Sequence, residues 1–416
     1  MTAEATAPPR PRSAFQLMFD PVFGALFWGK MFAVVAVWTH GIVAAIVMYD
    51  ATHSALMVGM VGVVQFGPQL ILSPISGKWA DNGNQARQIL LGRVLCVAGS
   101  GFAAVWLFAD SDLKGTAIAI PVLIGSLLVG FGFVVGGPAM QSIVPNLIRD
   151  GELSTAMALN SMPNTVGRIV GPATGAYLAA HLGSASAFAV SAALHLVFAI
   201  FLLVVTFPSP SERRAGTDFR VRTAIRYVWR DRPLLLALVA VTTVGIASDP
   251  SITLTPSMAD ELGGGTHLVG LLSASFGVGA GVGMAALAIM GGRMASARVS
   301  SIGMLGLAAG CGVLTIATAP ALALTGFTLS GLGFGWGMTG LSTVVQERAP
   351  EELRGRIMAL WLVGFVGSRP IAAALLAGTA DLISLHAAFA AAAALTAVVA
   401  LWCRPSNLVG PLPLRV

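Results

Sequence analysis

Two parts of this chain repeat each other at a distance of about half its length. Three features recur at an offset of 201 residues, each in a strongly apolar stretch: Gly130-Phe131-Gly132-Phe133 as Gly331-Leu332-Gly333-Phe334, Met157-Ala158-Leu159 as Met358-Ala359-Leu360, and Arg168 as Arg369. Repeats of about 20–50 residues are typical of solenoids. A repeat of half an apolar chain instead predicts two related membrane bundles, as in transporters whose substrate site lies between the repeats.

The composition requires lipid as the solvent. Hydrophobic residues make up 56% and charged residues 10% of the 416 residues, and the mean hydropathy is +0.83, whereas a soluble domain carries about 25% charged residues. The apolar runs are about 20 residues long, as transmembrane helices require, and do not alternate as barrel strands do. We therefore predict an all-α membrane protein with twelve transmembrane helices in two pseudo-symmetric six-helix bundles.

The only long polar connection divides the chain into halves. We predict a cytoplasmic tail over 1–25, a six-helix bundle over 26–207, a basic cytoplasmic loop over 208–232, a second six-helix bundle over 233–403 and a cytoplasmic tail over 404–416. Within the loop, residues 217–230 have the composition of a short basic helix on the membrane surface. The first apolar run is too long for a cleavable signal peptide, so we expect it to remain in the mature protein.

The distribution of basic residues predicts the orientation. If the N-terminus is cytoplasmic, 21 of the 24 Lys and Arg residues fall in cytoplasmic segments or span ends, and Lys114 alone falls outside. The remaining two, Arg168 and Arg369, lie inside spans. This bias follows the positive-inside rule. It predicts a multi-pass protein with both termini in the cytoplasm. Arg outnumbers Lys 21 to 3, a composition that indicates a GC-rich bacterial genome, so we expect the bacterial inner (plasma) membrane.

The fifth span carries a polar stripe. Asn160, Asn164, Arg168 and Pro172 follow one another at i+4 and therefore share one helix face. A charged residue near mid-span costs about 2.5–3.5 kcal/mol on insertion scales. Arg168, and equally its repeat partner Arg369, is therefore predicted to face a wet substrate cavity. The alternative is a structural arginine that reaches the membrane surface.

A second stripe on the same span consists of small residues. Gly167, Gly171 and Gly175 recur at i+4, and such stripes usually pack closely against another membrane helix. We predict the eighth span as the partner, because its glycines repeat the spacing: Gly277 with Gly281, and Gly279 with Gly283.

Three titratable residues inside spans are candidates for proton coupling. Asp249 is the only carboxylate well inside a span, and such residues mark proton pathways. Alternatively, Asp249 and Pro250 are a helix start, with Asp as the N-cap and Pro at the first position. His40 and His195 lie midway along spans and suit proton relay, although a buried histidine more often only makes hydrogen bonds.

Other observations limit the function. Gln65 and Gln69, one turn apart, are predicted either to contact substrate or to bridge helices. We find no phosphate-binding loop, no nucleophile elbow and no zinc-binding His pair, so we expect no enzyme activity, no metal and no cofactor. The energy source is then an ion gradient. Because the basic residues lie in short loops, we expect no nucleic-acid partner, and instead a monomer in the lipid bilayer with a small-molecule substrate.

Three motifs resemble the major facilitator superfamily. Between spans two and three, Gly77 and Asp81 match its gating-loop motif, Asn82 replaces an Arg, and Arg87 lies one place late. The segment 167–176, with Gly167, Gly171, Pro172 and Gly175, resembles the antiporter motif of drug exporters. The segment 346–361 is similar to the span 10–11 loop of the branch of drug:proton antiporters that includes the enterobactin exporter and the macrolide-efflux proteins.

The resemblance implies a function. Spans 1, 4, 7 and 10 would line a central cavity, with His40 and Asp249 on two of them. The chain is then expected to be a secondary active transporter that exports a small amphiphilic molecule, of the drug or siderophore class, by proton-coupled alternating access. The alternatives are an importer or a lipid or lysolipid transporter on the same fold, or a non-transporting membrane sensor or scaffold.

Overall fold

The computed structural model describes residues 11–109, 115–149, 151–207, 221–290, 293–350 and 353–410. Throughout these ranges the chain is helical or irregular and contains no strand, as the all-α prediction requires. The side chain of Asp81 and residues 208–220 of the predicted basic loop lie outside this description.

The N-terminal half of the sequence forms six long helices and two short ones. They are α1 (Ala14–Met18), α2 (Phe23–Thr52), α3 (Ala55–Asn82), α4 (Gln85–Ala109), α5 (Thr116–Ser142), a 3₁₀ turn (Val144–Leu147), α6 (Leu153–Leu182) and α7 (Ser184–Val204). Helix α2 is the most central: it packs against α3, α5, α6 and α7.

The C-terminal half contains more helices because two of its long rods are broken. They are α8 (Val221–Arg230), α9 (Arg232–Ser248), α10 (Pro250–Thr253), α11 (Thr255–Glu261), α12 (Gly265–Met290), α13 (Ser296–Leu314), α14 (Pro320–Arg348), α15 (Arg354–Gly367), α16 (Arg369–Leu382), α17 (Leu385–Trp402) and α18 (Pro405–Leu408). Helix α8 confirms the helix predicted in the basic connection, although its described part begins at Val221.

Within the described residues, ten helical stretches are long and apolar enough to cross a membrane. The long helices α6 and α14 are not among them. Helix α6 carries the predicted polar stripe, and six glycines lower the mean hydropathy of α14. Composition alone therefore identifies most of the helical rods but not these two.

The glycine stripe of α6 packs against α2, so the prediction that α12 is its partner was wrong. A Cβ at Gly171 would lie 2.8 Å from the carbonyl oxygen of Val35, and one at Gly175 would lie 3.0 Å from that of Thr39. The Thr39 hydroxyl also donates to the Gly171 carbonyl at 3.0 Å. Spacing identifies a close-packing face, but not which helix covers it.

Helix α12 does contact α6, but through a different face. Gly277 lies beneath Ile169, whose Cγ2 would be 2.8 Å from an added Cβ. The other predicted pair of α12, Gly279 and Gly283, packs against α14 instead. The α6–α12 contact therefore joins the two halves of the sequence, with the Ile169 side chain packed on the backbone of Gly277.

The two halves touch at the end of the molecule far from both chain ends. Asp381 of α16 accepts hydrogen bonds from the backbone N–H groups of Ala55 (2.8 Å) and Leu56 (2.9 Å) at the start of α3. Nearby, the Tyr49 hydroxyl donates to Asp260 at 3.1 Å. These bonds close the side on which α2 ends and α3 begins.

The opposite side, which carries residues 11 and 410, is open. On α3, a Cβ at Gly59 would lie 2.7 Å from the Ala373 carbonyl oxygen, but one at Gly77 would meet nothing within 4 Å. These two glycines face the same way, because 18 residues make five helical turns. On α6, Met162 lies two turns before Ile169 and is 44% exposed. The faces that join the halves at one end therefore separate toward the other.

We expect Gly171→Ala to lower the thermal unfolding temperature, although alanine is the better helix former. Its Cβ would lie 2.5 Å from the Cβ of Trp38, and overpacking costs about 1–3 kcal/mol, more than the roughly 0.5–1 kcal/mol gained by replacing a mid-helix glycine. The control is Gly378→Ala in α16, where nothing lies within 4 Å. If both variants melt higher than the parent protein in detergent, this α2–α6 contact is not tight.

Candidate substrate and coupling site

Two helix breaks lie next to each other in the C-terminal half. Helix α9 ends before Asp249 and α10 starts with Pro250, while α15 ends at Gly367 and α16 starts with Arg369. Each break is next to a proline, which cannot supply a backbone N–H to the preceding turn. The breaks bring a carboxylate and a guanidinium to the same depth of the molecule.

Asp249 occupies the N-cap position of α10, as the helix-start alternative predicted, but its side chain does not cap. One carboxylate oxygen accepts from Arg369 Nη2 at 3.3 Å. The other accepts from the Thr253 hydroxyl at 2.6 Å. The carboxylate is therefore committed to a buried ion pair.

Arg168 is buried and points inward from α6. Its Nη2 donates to the Ser248 hydroxyl at 2.9 Å, and its Nε and Nη1 have no hydrogen-bond partner. Its Cζ lies 4.0 Å from the ring centre of Phe334 and 5.3 Å from that of Phe365. Within the described residues no carboxylate forms an ion pair with it, so its charge is stabilised by one hydrogen bond and by aromatic faces.

Arg369 lies on aromatic rings of the N-terminal half. Its Cζ is 4.8 Å from the ring centre of Trp38 and 5.0 Å from that of Phe66. The same indole lies 5.2 Å from the Cζ of Arg168. The two repeat-related arginines therefore each contact aromatic rings of the opposite half, and Trp38 faces both. Among the described residues, Asp249 is the one carboxylate that forms an ion pair here. The two cations, Arg168 and Arg369, therefore have one anion between them.

A small pocket lies between the Asp249–Arg369 pair and the N-terminal half, and Arg168 is not among the residues that line it. The N-terminal half contributes Trp38, Gln65 and Phe66 to its lining, and the C-terminal half contributes Asp249 and Arg369. Gln65 is buried, and its Nε2 donor has no partner. The cavity thus combines apolar walls with unsatisfied N–H groups, which suits a ligand that is apolar and carries hydrogen-bond acceptors.

The two candidate histidines do not join this group. The His40 ring nitrogens lie 3.0 Å from Ser100 Oγ and 3.1 Å from Ser126 Oγ, on α4 and α5. The His195 Nδ1 lies 3.4 Å from Nη1 of Arg93, which also fixes it as the acceptor. Both rings make hydrogen bonds inside the N-terminal half, the alternative that the sequence left open, and the structure does not bring them to Asp249.

The other predicted polar residues lie toward the open side. Asn160 is buried: its side-chain oxygen accepts from Lys30 Nζ at 2.9 Å, and its amide donates to Gln141. Asn164 is exposed. Gln69 is half-buried, and its Oε1 has no partner. Of the polar stripe on α6, only Arg168 reaches the site.

The residues of the two family motifs lie in different places. Gly77 and Arg87 flank the α3–α4 connection, where Arg87 is exposed. The gating role of this connection stays a prediction, since the Asp81 side chain lies outside the described residues. Pro172 is buried inside α6, beside the glycine face that contacts α2.

Sequence reasoning missed several buried residues. Lys30 is 2% exposed and Arg93 is 1% exposed, although the charge count treated both as span ends. A signal existed for Lys30, since apolar residues flank it on both sides. Trp38 and Ser248, which contact Arg168, carried no signal that distinguishes them from other apolar or small residues of their spans.

The backbone resembles those of solved structures. It is similar to a bacterial homologue of the human lysosomal transporter Spinster in an inward-facing, unoccupied conformation, with a TM-score of 0.68, 14% identity and 94% and 97% of the two chains covered. It is also similar to a bacterial homologue of the iron transporter ferroportin in an inward-facing state, with a TM-score of 0.69, 15% identity and 94% and 99% covered. The chain therefore shares its fold with these two structures.

The family follows from the sequence itself. The chain belongs to the transmembrane secretion effector family, whose model matches residues 12–409. Similar proteins include the enterobactin exporter EntS of Salmonella choleraesuis (strain SC-B67), 27% identical over 376 residues, with 87% of this chain and 86% of that one covered. EntS of Escherichia coli O139:H28 is 26% identical over 369 residues, with the same coverage. The chain is thus a multi-pass secondary transporter of the efflux type, and this is a transporter family rather than a class of enzymes.

We expect Asp249→Asn to lower the unfolding temperature more than Arg369→Gln. The first change leaves two buried cations facing one indole, whereas the second leaves Arg168 and Asp249 as one cation and one anion. Removing one partner of a buried pair costs about 3–5 kcal/mol. The double variant should recover part of the loss in a thermal double-mutant cycle. Equal and additive losses would show that the charges are not coupled.

Proposed function

We propose that this chain is a proton-coupled exporter of a small amphiphilic molecule of the drug or siderophore class, and that it recognises an anionic group on that molecule. The single observation that supports this most strongly is Arg168. It is a buried guanidinium with unpaired N–H groups, separated by one indole from an ion pair that already uses Asp249. A transported anion would balance the second cation.

In this proposal the membrane domain contains twelve helices in two six-helix bundles. Helices α2 to α7 form the first. The second consists of α12, α13, α14 and α17 together with two broken rods, α9–α11 and α15–α16. The half-chain repeat supports the pairing, because it relates α6 to the broken rod that carries Arg369. Polar atoms at the breaks are tolerated because they line a cavity rather than face lipid.

Transport proceeds by alternating access between the bundles. The contacts at Asp381 and Asp260 close one side, while the faces of α3 and α6 separate on the other. The excess of basic residues on the side of the chain ends supports a cytoplasmic location for that side, in the bacterial inner membrane. The described conformation would then be open to the cytoplasm, ready to load cargo for export.

Coupling would arise because cargo and proton exclude each other at Asp249. Cargo in the pocket shields Asp249 from water, so the carboxylate stays charged on Arg369 while the cargo is carried outward. Once the cargo has left on the outer side, water reaches Asp249 and a proton from that side neutralises it, since a buried carboxylate without its partner is expensive to keep charged. The proton leaves on the cytoplasmic side, where the ion pair forms again before new cargo binds. The cycle involves no cofactor, metal or nucleic acid, and a monomer in the lipid bilayer suffices for it.

We expect Asp249→Asn to abolish substrate-driven proton movement in everted vesicles, with the amount of folded protein equalised by size-exclusion chromatography. The substrate is chosen by thermal-shift screening against siderophores, antibiotics and lipids, since binding to the folded state raises its melting temperature. The control is Glu261→Gln, which removes a carboxylate of α11 that lies outside the cavity lining and is 46% exposed. Normal proton exchange by Asp249→Asn would exclude this carboxylate from coupling. Flux in the opposite direction would favour an importer.

Arg168→Ala is expected to weaken transport of an anion far more than transport of its neutral analogue. A suitable pair is 2,3-dihydroxybenzoylserine and its methyl ester, which differ by one carboxylate charge. A hydrogen bond to a charged group contributes about 1.5–3 kcal/mol, so the acid should lose about tenfold or more in kcat/KM, and the ester much less. Equal losses for acid and ester would make Arg168 a structural residue.

A further inference from the structure

Helix α8 presents two different faces. Ala224, Tyr227 and Val228 are buried against the C-terminal half, at the i, i+3, i+4 spacing of one helix face. On the opposite face Trp229 is 70% exposed and Ile225 is 39% exposed. The transport site does not use this exposed face, although two bulky apolar side chains on it face outward.

Arginines surround these apolar side chains. Arg226, Arg230 and Arg232 are all exposed, and within the described ranges none of them forms an ion pair. Asp231 cannot neutralise them, because it is 2% exposed and its carboxylate binds Arg348 at 2.8 Å. The outer face of α8 therefore carries two positive charges beside a tryptophan, and Arg232 at the start of α9 adds a third.

The position of α8 in the chain places its exposed face at the membrane surface. Asp231 alone separates it from Arg232, where a stretch able to cross the membrane begins. Its exposed face therefore lies next to the stretch that enters the bilayer. Tryptophan is enriched at the membrane–water interface, and basic residues there are attracted to anionic headgroups.

We infer that α8 is a docking site for anionic phospholipid headgroups, with Arg226 and Arg230 binding phosphate and Trp229 inserted at the level of the headgroups. Charge complementarity favours this partner, and the apolar pair beside the arginines suits the boundary between headgroups and acyl chains. This inference does not depend on the substrate or on proton coupling.

The docked helix is linked to the transport machinery. The Tyr227 hydroxyl donates to the Arg348 carbonyl oxygen at 3.3 Å, at the end of α14. Helix α8 also contacts α15, the segment that leads to the break at Arg369. A lipid bound on α8 therefore restrains the ends of two helices that must move if the bundles rock.

The test is the thermal stabilisation of the full chain, in neutral detergent, by phosphatidylglycerol and by phosphatidylcholine. Phosphatidylglycerol should raise the unfolding temperature of the parent protein more than phosphatidylcholine does. In R226Q/R230Q the apparent affinity for phosphatidylglycerol should fall about 30-fold, since each arginine near an anionic surface contributes about fivefold. The matched control R293Q/R298Q removes two exposed arginines, one just before α13 and one in its first turn, on the same side of the molecule, and should change the affinity less than twofold.

Each arm of the experiment can overturn the inference. If both double variants lose affinity equally, the lipid responds to net charge and α8 is not the site. If glycerol 3-phosphate stabilises the parent protein as well as phosphatidylglycerol does, the site binds a free phosphate and not a lipid surface. Because the arginines are exposed, R226Q/R230Q without lipid should unfold at the same temperature as the parent protein. The single variant R230Q, expected to lose about fivefold, provides an independent measurement.

Discussion

The contact between two buried guanidinium groups and one indole ring is the interaction on which the rest of the site depends. Arg168 and Arg369 would repel each other in an apolar interior, and Trp38 faces both of them at 5.2 and 4.8 Å. A ring face attracts a cation by about 0.5 to 2 kcal/mol, the larger values where water is excluded. Asp249 adds the one full negative charge that pairs with either cation among the described residues. An ion pair together with aromatic faces thus keeps a second cation buried without a dedicated counterion, and this makes the site receptive to an anion.

The same contacts join the two halves of the sequence. Arg168, from the N-terminal half, lies on Phe334 and Phe365 of the C-terminal half, whereas Arg369 lies on Trp38 and Phe66 of the N-terminal half. Because the two arginines are related by the repeat, each half inserts the same residue into the aromatic surface of the other. A rocking motion must therefore change the environment of both cations at once. Substrate binding and bundle movement act on the same few atoms, so a separate relay between them is not needed.

Much of this could be predicted from the sequence, and the limit has a physical cause. The spacing of apolar residues predicts helices, and the cost of an intramembrane charge predicts that Arg168 and Arg369 face inward. The Asp-Pro pair predicts the break at Asp249, but not that its carboxylate leaves the capping position for Arg369. The partner of the glycine stripe was predicted wrongly, because an i+4 period identifies a face and carries no information on which helix covers it. Lys30 and Arg93 were missed because a position near a span end does not reveal whether a neighbouring helix covers the side chain.

The packing within each half differs from the packing between the halves, and the difference favours movement of the halves as units. Inside the C-terminal half, a Cβ at Gly340 would lie 2.5 Å from the Ser300 backbone nitrogen, and one at Gly310 would lie as close to a neighbouring backbone. Backbones in such direct contact cannot slide without losing their packing. Between the halves, a Cβ at Gly59 would lie 2.7 Å from the Ala373 carbonyl oxygen, but within one turn of α3 the contact loosens, since a Cβ at Gly62 would lie at an ordinary 3.4 Å from the Ala373 Cβ. The closing bonds at Asp381 are made to side-chain oxygens that water can replace. The cheaper motion is therefore a separation of the halves at Asp381, with each bundle intact, which exposes the cavity on the side that is now closed.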